Sequence, residues 1–95
     1  MGRFMCFIHG IDYDEVEIVG KKLYELAESR TYGSNIEGID FYNKSWIISS
    51  VLEEDGVVAL YLESYEGDSF TIRVGMLTTA FDVRNDVVRW CLKHK

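Results

Sequence analysis

The chain predicts an α+β fold: a two-layer sandwich, a four-stranded and mainly antiparallel sheet with two helices, in the order β-α-β-β-β-α. Three observations carry this. Ser45 to Leu77, SWIISSVLEEDGVVALYLESYEGDSFTIRVGML, alternates apolar and mixed positions with period two and is broken by two acidic, glycine-bearing turns. Two other stretches repeat apolar residues at helical spacing behind a capping signal. The 95 residues make a single domain, 1–95. A chain of that size buries about two-thirds of its surface and needs no disulfide or structural metal to fold.

Arg3 to His9, RFMCFIH, reads as a short buried strand that enters the sheet, ended by Gly10 and Asp12. Asp12 stands as an N-cap with Glu15 in the capping-box position, opening a helix over Tyr13 to Ser29. Val16, Val19, Leu23, Leu26 and Ala27 form its buried stripe. Gly20 costs about 1 kcal/mol against alanine inside a helix, which points to close packing of this helix on the sheet. Arg30 to Lys44 reads mostly as loop, anchored by Ile36, Ile39 and Phe41, with Ile39 to Tyr42 starting a strand that runs on through Ser45. A connection of that length is often functional, which makes it a second candidate surface.

Parity governs the three strands of the meander. A two-residue turn at Asp55-Gly56 would put Leu52 opposite Ala59, on the mixed face. A three-residue loop, Glu54-Asp55-Gly56, puts Leu52 opposite Val58 and closes on a left-handed glycine. The same argument places Glu66-Gly67-Asp68 in the second loop. The expected core face is Trp46, Ile48, Leu52, Val58, Leu60, Leu62, Phe70, Ile72, Val74 and Met76. The other face would carry Ile47, Ser49, Val51, Val57, Ala59, Tyr61, Tyr65, Thr71 and Arg73. That set is too apolar for a face left in water. Thr79 and Asp82 then make a capping box for a final helix over Ala80 to Lys93, with Val83, Val87, Trp90 and Cys91 on one stripe.

Charge narrows the function classes. The net charge is −6, and residues 46–77 hold six acidic groups against one basic. Direct nucleic-acid binding needs clustered Lys and Arg and is disfavoured. No apolar run is long enough for a membrane span, and the N-terminal apolar segment is too short for a secretory signal. The chain is expected in the cytoplasm.

The sharpest chemical pattern is a matched pair of Cys-x-x-His spacings, Cys6/His9 and Cys91/His94, a donor set suited to tetrahedral zinc. Its rival is simpler: both cysteines sit on core stripes as small hydrophobes. A cysteine nucleophile lacks electropositive surroundings. Asp12, Asp14, Glu15 and Glu17 could draw a cation, but carboxylates at a helix start also favour the dipole. Ser49 and Ser50 lie within a strand and on no nucleophile elbow.

The sequence therefore reads as a non-catalytic protein-binding domain without a cofactor: a small acidic inhibitor, antagonist or immunity-type protein, of a kind also carried by phages. Its partner would be a basic or nucleic-acid-binding protein. The docking surface is expected at Tyr61, Tyr65, Arg73, Ile47, Val51, Val57, Glu53, Glu54, Asp55 and Glu63. Mimicry of nucleic acid would need Glu53, Glu54, Asp55, Glu63, Glu66 and Asp68 along one surface. A homodimer through the same face, and a zinc- or thiol-dependent protein using Cys6, His9, Cys91 and His94, are the alternatives.

Overall fold

A computed structural model describes residues 7–8, 10–29 and 36–94. Its elements are β1 (Phe7–Ile8), β2 (Ile11–Asp12), α1 (Tyr13–Ser29), β3 (Ile36–Phe41), β4 (Lys44–Glu54), β5 (Val57–Ser64), β6 (Ser69–Val74) and α2 (Ala80–Lys93). The fold class is the expected one: two helices against a four-stranded antiparallel sheet. The sheet is a plain meander in the order β3-β4-β5-β6. Its fourth strand is β3, from the stretch read mostly as loop. The N-terminal strand instead pairs with β2 in a small separate hairpin, Ile8 opposite Ile11.

Local chemistry explains the helix boundaries. Asp12 Oδ1 accepts from Asp14 N–H at 3.1 Å and Glu15 N–H at 3.2 Å, capping the orphan donors of α1. Glu15 reaches across to the β3–β4 turn, where its Oε2 accepts from Tyr42 N–H at 3.2 Å. At α2 the expected box forms in full: Asp82 N–H donates to Thr79 Oγ1 at 3.2 Å, and Thr79 N–H to Asp82 Oδ2 at 2.8 Å.

Both stripes meet the inner sheet face in one core that includes Val16, Leu23, Trp46, Leu60, Ile72, Val83 and Val87. Gly20 has a different partner from the one expected. A Cβ there would lie 2.6 Å from Arg84 Cα, so the glycine lets α1 approach α2 rather than the sheet. One end of the core is aromatic. Phe41 and Trp46 stack at 5.0 Å, and Trp90 meets Trp46 edge-on at 4.9 Å.

Both expected turn assignments require correction. Chain reversal at Tyr42-Asn43 separates β3 from β4, so the strand begun at Ile39 does not run on through Ser45, which belongs to β4; both turn residues are left-handed, with φ of 57° and 58°. Asp55-Gly56 is also a two-residue turn with positive φ at both positions, and Glu54 pairs with Val57. The parity condition is nevertheless met. Ile48 pairs with Leu62 and Ser50 with Tyr61, so Ser49 is an extra residue in mid-strand, and its Oγ donates to Tyr61 O at 3.3 Å. The residue expected in the loop sits in a bulge. The loop with a left-handed glycine occurs in the second hairpin, one residue earlier than expected, as Tyr65-Glu66-Gly67: Gly67 N–H donates to Ser64 O, and Ser64 N–H to Asp68 O.

Candidate functional site

The bulge decides what faces outward. Beyond Ser49, Val51 opposes Leu60, and Leu52 opposes Ala59. Val51 therefore packs against the core, and the expectation that it lies on the outer face is wrong. Leu52, expected in the core, is 58% exposed. Along the sheet the outer rows are Ile47–Glu63–Ser69, Ser50–Tyr61–Thr71 and Leu52–Ala59–Arg73, followed by the pair Glu54–Val57. Both helices cover the opposite face.

Met76 also leaves the expected core. Gly75 to Thr78 form a tight turn in which Thr78 N–H donates to Gly75 O at 3.2 Å. Gly75 N–H in return donates to Thr78 Oγ1 at 2.9 Å. Thr79 follows directly as the cap of α2, so the turn is fixed on both sides. Its two central residues, Met76 and Leu77, are 95% and 90% exposed. Turn centres usually hold Gly, Pro, Asn, Asp or Ser. Val57 is 37% exposed and lies against the same turn, since a Cβ on Gly75 would be 3.7 Å from Val57 Cγ2. Leu52, Val57, Met76 and Leu77 thus lie toward the end of the sheet that holds the Asp55-Gly56 turn.

The remaining expected residues separate into groups. Ile47 and Tyr61 are half-buried on the outer face, with Arg73 and Glu63 exposed beside them. Tyr65 is exposed in the β5–β6 turn at the far end. Glu54 and Asp55 border the apolar end, whereas Glu53, opposite Val58, has inner-face parity. At the far end Lys44 Nζ lies 3.1 Å from both Glu66 Oε2 and Asp68 Oδ2, and these hydrogen bonds raise its pKa. The six carboxylates named for mimicry therefore do not share one face. Sequence reasoning missed Leu52, Met76 and Leu77 because it counted the first two as core. A leucine or methionine in an alternating run carries no mark of its exposure.

Only the second pair of the Cys/His pattern lies within the described residues. Cys6 and His9 lie outside the described residues. Cys91 is fully buried on the α2 stripe, and burial, reinforced by the negative charge of Glu15, pushes its thiol up to about 11. Such a thiol is protonated at neutral pH, the wrong state for a nucleophile. His94 stacks on Trp90 at 4.0 Å with Nδ1 2.9 Å from Trp90 O. No group of three or more His, Cys, Asp or Glu side chains converges on a metal position among the described residues. No described helix is long and apolar enough to cross a membrane. Comparison with protein-family models, curated proteins and solved structures finds no match for this chain.

Proposed function

We propose that this domain is a non-catalytic protein-binding module that docks a protein partner through the apolar end of its bare sheet face. The observation that supports this most is Leu52, 58% exposed on the outer face, with Met76 and Leu77 held almost wholly in solvent by a fixed turn at the same end of the sheet. Apolar patches presented on rigid elements need little ordering on association, so their burial is retained as affinity. Charge selects the partner. Asp40, Glu54 and Glu63 face outward against the single outer-face cation Arg73 among the described residues, and Asp55 extends the acidic border. A partner with an apolar centre and a basic rim complements this surface. A second copy of the chain would bring two acidic rims together, which disfavours a homodimer. The inhibitor or antagonist role proposed from size and charge belongs to this reading, as does a location in the cytoplasm.

The test is capture of a partner by the native chain, repeated with Leu52→Glu and with Met76→Ser/Leu77→Ser. A basic protein captured by the native chain and lost from both variants, with unchanged thermal midpoints, is the expected result. Retention by both variants overturns the assignment of the surface. Twice the chain mass in light scattering overturns the choice of occupant.

A further inference from the structure

We infer that the groove between β6 and α2 is a second binding site, which takes an extended acidic peptide segment by strand addition. β6 ends the sheet, and no strand of the described residues lies along its other side. The ladder fixes which of its backbone groups face that side. Ser64 N–H donates to Asp68 O at 2.8 Å, and from that pair the bonded and non-bonded positions alternate. Phe70, Ile72 and Val74, opposite Leu62, Leu60 and Val58, thus turn their N–H and C=O groups toward β5. Those of Ser69, Thr71 and Arg73 turn outward. Gly75 N–H is taken by Thr78 Oγ1, so the open row ends at Arg73.

The helix supplies the other wall. A cavity of about 430 Å³ runs between Phe70 to Arg73 on the strand and Asp86, Arg89, Trp90 and Lys93 on α2. That volume is typical of ligand clefts. Its charge is opposite to that of the chain: Arg73, Arg89 and Lys93 line it in a protein of net charge −6, and Asp86 is paired with Arg89. Edge strands often carry cations simply to block aggregation. That role needs charge on the strand itself, whereas two of these three cations stand on the facing helix. An extended segment would take the backbone groups of Thr71 and Arg73, and its acidic side chains on the helix side would meet Arg89 and Lys93. Arg73 borders both surfaces, whereas Arg89 and Lys93 lie on the helix layer and far in sequence from Leu52, Met76 and Leu77, so substitutions at Arg89 and Lys93 test this site apart from the sheet face.

The probe is a terminally blocked peptide of about eight alternating Glu and Val residues, long enough to run the ~20 Å of β6. It is titrated into the full chain while amide signals and hydrogen exchange are followed. Saturable binding that weakens with salt and slows exchange at Thr71 and Arg73 is expected. Arg89→Glu/Lys93→Glu should weaken it at least roughly tenfold at an unchanged thermal midpoint, while Met76→Ser/Leu77→Ser leaves it as it was. The same peptide methylated on alternate backbone nitrogens should not bind. No binding at millimolar peptide, equal binding of a Lys-Val peptide, or binding without protection at Thr71 and Arg73 overturns the inference.

Discussion

One strand shows both environments of this protein. Within β5, Leu60 and Leu62 point into the helix layer and are fully buried, while Val57 and Tyr61 point away and keep solvent contact. The two faces differ in composition and in cover. The inner one closes on α1, α2 and the aromatic group of Phe41, Trp46 and Trp90. The outer one has Ile47, Leu52, Val57, Ala59 and Tyr61 with neither helix across it. Apolar character in a strand therefore does not report burial. The position of a single inserted residue does.

The largest effect expected is the contrast itself. Leu60→Ala should cost about 2–5 kcal/mol in denaturant unfolding, the usual range for a fully buried leucine that leaves a cavity. Leu52→Ala, the same chemistry eight residues earlier, should stay within about 0.5 kcal/mol of the native chain, as surface changes do. Equal losses at the two sites would mean that the outer face is sealed in solution, and the docking proposal would go with it.

Gly20→Ala probes how tightly the covered side is closed. The added methyl would meet Arg84 Cα at 2.6 Å, backbone that cannot swing aside. Helix propensity alone would make this substitution stabilising. A net loss of about 1–3 kcal/mol, the overpacking range, is expected in the same unfolding experiment. A gain would show that the helices separate freely and that the inner layer is loose.

Cys91 reports on the same layer through pH. Its thiol rises from the ordinary 9.0 to about 11 because burial disfavours the thiolate, with Glu15 adding to the effect. A folded-state pKa raised above the unfolded one means that the contribution is fully present below pH 9.0 and is lost between there and about 11. Stability should fall across that window, and Cys91→Ala should flatten the fall even though it lowers stability at neutral pH. An unchanged alkaline slope would place Cys91 in contact with water. In a Cys6→Ser background, thiol reagent at pH 8 should modify Cys91 only at the rate of unfolding.

Much of this fold was legible because its signals are local. Asp12 and Thr79 cap where side chains of their type should, and the α1 and α2 stripes are buried as their spacing requires. The inner partners Ile48–Leu62 were found from parity, which is a condition on the whole hairpin. What parity cannot say is where a surplus residue goes. Asp-Gly strongly favours a two-residue turn, and that local preference prevailed at Asp55-Gly56 over the three-residue loop. The turn after β3 reads in the sequence as continuous strand: Asn43 tolerates positive φ, but Tyr42 beside it is an unusual residue there, held by Glu15 and by edge-on packing on Trp90. The exposed turn at Met76 and Leu77 was illegible because its exposure follows from the cap at Thr79, which ends the strand run before Met76 can reach the core.

A deletion at Ser49 discriminates best between the two accounts of β4. Ser49 stands between two correctly faced halves of the strand: Trp46 and Ile48 point inward before it, Val51 after it. Deleting it from the bulged ladder leaves Ile48 opposite Leu62, Ser50 opposite Tyr61 and Val51 opposite Leu60, so every side chain keeps its face. Deleting it from an unbulged strand with a three-residue loop would slip one half by a residue and turn its apolar set outward. The deletion variant should therefore fold with a loss of about 1 kcal/mol, from the missing Ser49–Tyr61 hydrogen bond and reduced local twist. Its Leu60 and Leu62 amides should stay as protected from exchange as in the native chain. Collapse of that protection would mean that the extra residue lies in the loop, and would return Leu52 to the core and Val51 to the open face.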